Sequence, residues 1–229
     1  MKKILKIIGI VICMGVLCFT IMFFLVYCGT DGPNFAFKAN YTLHSFGLNT
    51  MYTYTNEDEE MLKRGDASSV FVFEKECTKE EKLVLYNAYY SLDENVREKF
   101  ENYGTIHLHE KGEKTEIGDF RYTGETSYLI NLYGEINENH SLKHEMTHYV
   151  DFYIEKTTGC SPSCSEFWKK MCEDDTFVKI VLMTYSAEMS NEETILKEVF
   201  AECYSTSSFV TKLLYPDAYK FTQEQWNSI

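Results

Sequence analysis

Five residues in the middle of the chain, His144-Glu145-Met146-Thr147-His148, have the types and the spacing of a hydrolytic metal site. Positions i and i+4 of a helix lie one above the other, so two imidazoles at that interval can close on a single ion. Glu145 stands one step round from His144, beside such an ion rather than on it, where a carboxylate takes a proton from an attacking water. A catalytic zinc keeps three protein ligands and one open position, so the reading requires a third ligand elsewhere in the chain. Without one, the pentapeptide is a chance pattern on a solvated helix.

The third ligand is expected in Leu196-Lys-Glu-Val-Phe-Ala-Glu-Cys203, where Glu198 and Glu202 again stand at i and i+4 and Ala201 permits close helix packing. Glu198 is assigned as the metal ligand. Glu202, one turn later, is assigned to the outer nitrogen of a metal-binding imidazole, and Asp151, three residues after His148, to similar work. The competing view is two exposed glutamates on an acidic helix. Glu192 and Glu193 fit the first turn of the same helix, where negative charge complements the dipole.

The elements that must position these groups are legible in outline. The motif helix has Ser141 or Asn139 as N-cap, no Pro or Gly until Gly159, and Met146, Val150 and Phe152 as its packing face. Strands are expected at 51–55, 70–73, 105–109, 118–122 and 127–133, with His107 and His109 on one strand face. The capping box Thr78-Lys-Glu-Glu81 opens a helix to about Tyr90, and 92–100 reads as a shorter one. Beyond the motif, helices are expected over 165–183 and from Asn191 to about Ser208, the latter opened by Ser190-Asn-Glu-Glu193, with a short polar-aromatic helix at the end.

The chain has 229 residues and a net charge of −13. Lys2, Lys3 and Lys6 precede Ile7 to Tyr27, 21 residues (27 − 7 + 1) without a charge. As a helix these span roughly 31 Å, the thickness of a bilayer core. The expectation is an uncleaved anchor over 1–28, a tether over 29–50 and a catalytic domain over 51–229, extracellular by the positive-inside rule. Lipid attachment at Cys28, or secretion, is the alternative. Setting aside the three lysines leaves 19 basic residues (22 − 3) against 35 acidic, a surface that repels nucleic acid. Six cysteines follow the apolar run, and Cys160-Ser-Pro-Ser-Cys164 is expected to close on itself or to tie to Cys172 or Cys203.

The run His144-Glu-Met-Thr-His-Tyr-Val-Asp-Phe-Tyr153, followed by Glu198-Val-Phe-Ala-Glu202, resembles the anthrax lethal factor-like zinc metallopeptidases, which also include Pro-Pro endopeptidases. The resemblance implies an α+β zincin-type fold: a small mixed sheet with an antiparallel edge strand, packed on helices, and one Zn2+ per chain. It implies a peptide substrate lying extended against an edge strand, here placed at 127–134. It also implies a tyrosine that donates to the oxyanion. Tyr185 is the best match, although it precedes Glu198 by 13 positions (198 − 185) and Asn191 occupies the place that the family's spacing gives to tyrosine. The function expected is therefore that of a membrane-anchored zinc endopeptidase acting on extracellular proteins, with a non-catalytic, membrane-tethered scaffold on a degenerate zincin fold as the alternative.

Overall fold

A computed structural model of the chain describes residues 54–111, 118–123, 127–134, 140–182, 191–205 and 208–229. The expected anchor, the tether, Cys28 and Tyr185 lie outside them. Among the described residues no helix is long and apolar enough to cross a membrane.

The architecture is mixed α+β, mostly helical, with one four-stranded sheet. In chain order the elements are α1 (Asn56–Asp66), β1 (Phe71–Phe73), α2 (Lys79–Tyr90), α3 (Glu94–Glu101), β2 (Gly104–His109), β3 (Gly118–Tyr122), β4 (Tyr128–Tyr133) and α4 (His140–Thr158). A 3-10 turn (Pro162–Cys164) then leads to α5 (Glu166–Cys172), α6 (Asp175–Val181), α7 (Glu192–Ser205), α8 (Ser208–Leu214) and α9 (Pro216–Trp226). The strand order is β1-β2-β4-β3, with β1, β2 and β4 parallel and β3 antiparallel to β4.

That order corrects one expectation. The segment at 127–134 is not an edge, because β4 is paired on both sides; the antiparallel edge strand is β3, whose Asp119 stands across from Asn131. Strand order is a non-local property that the alternation within each strand does not encode.

Local chemistry explains most of the boundaries. Thr78 and Glu81 form the expected capping box on α2. Residues 54 and 55 are not strand: Thr55 caps α1 through a second capping box with Asp58, and the acidic run that follows is helical. The stretch over 165–183 is two helices, because the Asp174 side chain accepts from the N–H groups of Thr176 and Phe177 and starts a new one. In α7 the cap is Asn191, whose Oδ1 accepts from Thr194 N at 2.8 Å, one position later than the expected Ser190. Pro216 opens α9 as an N-terminal proline. Helix α4 ends at Gly159, which takes a φ of +79°.

Two apolar clusters result. The first joins the sheet to α1–α4, with Leu83, Val96, Phe100, Ile106, Met146 and Val150 fully buried. The second is helical, built by Trp168, Phe177, Val199, Phe200 and Ala218 from α5, α6, α7 and α9. Helix α4 gives its apolar face to the first and α7 to the second, so their polar faces meet at the seam. Phe152 departs from the expected packing face of α4; it turns toward β3, with its ring 5.9 Å from that of Phe120 and 4.9 Å from that of Tyr122. Among the described residues Cys77, Cys160, Cys164, Cys172 and Cys203 are free thiols, so the expected closure of the Cys160–Cys164 loop is not formed.

A close approach between α1 and α2 gives a test of the first cluster. A methyl group at Gly65 would collide with the ring of Tyr86, which is fully buried and donates its hydroxyl to Asp66 at 2.8 Å. Gly65→Ala should lower unfolding free energy by about 1–3 kcal/mol in urea titration. An unchanged midpoint would show that the two helices are not held in this contact.

Candidate metal centre

The seam between α4 and α7 brings together three of the residues singled out by spacing. His144 Nε2 lies 3.1 Å from Glu198 Oε2 and 3.1 Å from His148 Nε2, and His148 Nε2 lies 3.6 Å from the same carboxylate oxygen. The pairing runs in opposite directions along the two helices, since His144 meets both Glu202 and Glu198 while His148, one turn on, meets Glu198. The helices are therefore antiparallel here, and the i, i+4 pairs of each converge.

The triangle fits an ion. Tetrahedral bonds of about 2.0–2.2 Å put ligand atoms roughly 3.3–3.6 Å apart, close to the three separations observed. Among the described residues His144, His148 and Glu198 form the one group of histidine, cysteine or acidic side chains able to hold a metal. The donor chemistry agrees: His144 Nδ1 lies 3.0 Å from Glu202 Oε2, and a ring that donates there as the neutral tautomer turns the lone pair of Nε2 toward the centre. Glu202, 1 % exposed, thus occupies the outer position expected of it.

The ionisation pattern of the metal-free centre follows from charge placed inside the protein. Burial works against a charge on His144, but the carboxylates of Glu198 and Glu202 outweigh it and hold its pKa at about 10. Burial likewise pushes Glu198 up, and the hydrogen bonds of His144 and His148 more than reverse this, leaving it well below the ordinary carboxylate range. Glu145 differs: burial raises it, and the two histidines only partly oppose that. Glu145 is therefore a stronger base than a solvated glutamate, set at the edge of the triad without being part of it.

Asp151 takes another task than the one expected. Its Oδ2 accepts from the hydroxyls of Ser161 and Ser163 at 2.7 Å each, and its Oδ1 from Ser163 N at 2.8 Å. It clamps the Cys160–Cys164 turn to α4, and that turn also packs on α7. The i+3 spacing after His148 is compatible with either task; which one applies depends on where the turn folds back.

The triad opens into a cleft of about 550 Å3. One wall is the edge strand, Gly118 to Arg121; Phe152 and Glu155 continue α4, and Thr194 and Lys197 face them from α7. Sequence reasoning missed these residues. A signal existed for Phe152, which lies one turn beyond His148 as His148 lies beyond His144, but none for β3, whose place beside α4 comes from strand order. Comparisons of the chain with protein-family models, with curated proteins and with solved structures found no match.

Two outcomes check this geometry. Removing the Asp151 carboxylate leaves the Ser163 N–H and one of two serine hydroxyls without an acceptor, since Ser161 and Ser163 Oγ lie 2.8 Å apart and can bond each other; Asp151→Ala should cost about 2–3 kcal/mol in urea unfolding, and a loss under about 0.5 kcal/mol would contradict the clamp. The second concerns protons. Because the pKa of His144 is raised to about 10 in the metal-free centre, its extra proton is present at pH 7 and must leave when a metal takes Nε2. Titration calorimetry in buffers of different ionisation enthalpy should show about one proton released per metal bound at pH 7, declining as pH rises toward 10. No release at pH 7 would contradict the assignment.

Proposed function

We propose that the chain is a zinc-dependent endopeptidase of the zincin type. The observation that carries the reading is a triad of two imidazoles and one carboxylate facing a cleft, with a buried, basic carboxylate, Glu145, beside it and outside the ligand set. A structural zinc is normally enclosed by four protein ligands, whereas three and an open cleft match a catalytic ion. Two imidazoles and one glutamate with an open position are a His2Glu set, one of the donor sets that catalytic zinc uses. The paired motifs that resemble the lethal factor-like metallopeptidases support the same reading, as does a small sheet whose antiparallel edge strand borders the cleft.

His144, His148 and Glu198 would hold the ion, and Glu202 would fix the ring of His144. Zinc supplies Lewis acidity, polarising a peptide carbonyl and making water a nucleophile near neutral pH. Glu145 accepts the proton of the attacking water; its burial keeps the carboxylate poorly solvated and hence basic. Held close to both reacting centres, it then delivers that proton to the departing amine nitrogen. The expected oxyanion donor is Tyr185. We place the substrate as an extended peptide along the outer edge of β3, whose backbone is paired, among the described residues, on the β4 side.

The N-terminal lysines and apolar run support a single-pass protein of the cell membrane with its catalytic portion outside, acting on extracellular protein or peptide substrates. The acidic balance of the chain makes nucleic acid an unsuitable partner.

The test is a diverse peptide library read by mass spectrometry, with full-length zinc-loaded protein and Glu145→Gln side by side. Cleavage by wild type and a loss of about 100-fold or more in Glu145→Gln, with zinc retained, is the expected result. Equal cleavage by both would remove Glu145 from the mechanism. No cleavage by either, with zinc bound, would favour the scaffold.

A further inference from the structure

Glycine at the first residue of β3 is a matter of room, not of backbone freedom. Gly118 has no positive φ, and a Cβ built there would stand 2.9 Å from Glu145 Oε1, 3.1 Å from Glu145 Cγ and 3.2 Å from Asn131 O. It is the one position of the strand without a side chain, and it is the one against the base. Phe120, next on the same face, packs on Phe152 and Tyr149 instead.

A two-fold alternation makes this arrangement fragile. Sliding β3 by one residue turns every side chain to the other face, so Asp119 would enter the slot at Glu145 and Phe120 would leave the aromatic cluster. Edge strands are paired on one side only, and β3 has only five residues. Something beyond the ladder must hold its register.

The opposite face of the sheet carries such a device. Asp119 Oδ1 accepts from Asn131 Nδ2 at 2.7 Å, and Asp119 Oδ2 accepts from Tyr133 OH at 2.8 Å, both from the neighbouring strand. Arg121, on the same face of β3, adds Nε to Oδ1 at 2.8 Å and Nη2 to Oδ2 at 2.9 Å. Behind Asn131, its Oδ1 lies 2.8 Å from His109 Nε2, and the His109 ring stacks on that of Tyr133. These donors overcome the effect of burial and hold the Asp119 carboxylate below the ordinary range, so it remains a strong acceptor.

We propose that Asp119, gripped by Asn131, Tyr133 and Arg121, is the register pin of the edge strand, a positioning residue that keeps the side-chain-free Gly118 against Glu145. The hydrogen bonds of the grip lie on the face opposite Phe120, while Asp119 and Arg121 also border the cleft and the Asp119 charge is felt at Glu145. The kinetic consequence rests on the peptidase reading above; the register itself does not.

The experiment uses full-length zinc-loaded protein and two readouts, hydrogen exchange of the β3 amides by mass spectrometry and steady-state peptide cleavage. Asp119→Ala should speed exchange over 118–122 by about tenfold or more. It should lower kcat/KM by about 10- to 100-fold, with one zinc per chain retained. Tyr133→Phe, which removes one donor and keeps the ring, should move both readouts in the same direction by less, and it serves if Asp119→Ala does not fold. Gly118→Ala should lower kcat with β3 exchange unchanged, separating the slot from the register. Unchanged β3 exchange in both Asp119→Ala and Tyr133→Phe would overturn the pin. If wild type cleaves no peptide, the peptidase reading fails, and the exchange result alone decides the register.

Discussion

One buried and one half-buried carboxylate, Glu202 and Glu198, facing two imidazoles across the α4–α7 seam are the interaction on which the rest depends. Isolated, each of these groups would be expensive to remove from water, and a glutamate as enclosed as Glu202 is tolerated only with a partner. The partners come from a different helix 50 to 58 positions away in sequence, so folding must bring α4 and α7 to one spacing and one direction. An ion bridging the same atoms would satisfy the same demand with more charge.

The two apolar clusters make that spacing rigid. Helix α4 is anchored in the sheet core by Met146, Tyr149 and Val150, and α7 in the helical core by Val199 and Phe200, each residue fully buried. Trp168 joins in from α5, its indole N–H donating to Leu196 O on α7 at 2.9 Å. The Cys160–Cys164 turn, held to α4 by Asp151, spans the two cores beside the site. Function and stability are therefore coupled in one place: the polar faces that make the centre are also the contact between the two halves of the core.

What could be read from the chain was what repeats locally. The i, i+4 pairs His144/His148 and Glu198/Glu202, the capping box at Thr78 and the strands over 105–109 and 118–122 all carry their signal within a few residues, and each lies where it was expected. Most of what failed was contingent on distant partners. The edge strand was misplaced because it was set by resemblance alone, and only the pairing of β4 with both β2 and β3 shows otherwise. Helix α1 was hidden by its acidic run, though Thr55 and Asp58 spell a capping box. Asp151 was assigned to a metal-binding imidazole because spacing alone cannot see the serines that claim it, and the Gly118–Glu145 contact requires knowing which strand lies on α4.

Where a metal binds, and what surrounds it, decides whether the α4–α7 seam is a catalytic centre. Anomalous diffraction at the zinc edge from crystals of the zinc-loaded chain tests this most directly. The account predicts one ion bonded at about 2.0–2.2 Å to His144 Nε2, His148 Nε2 and a Glu198 oxygen, with the remaining position facing the cleft and no bond to Glu145. A fourth protein ligand closing the site, an ion held through Glu145, or zinc bound only elsewhere on the chain would contradict it.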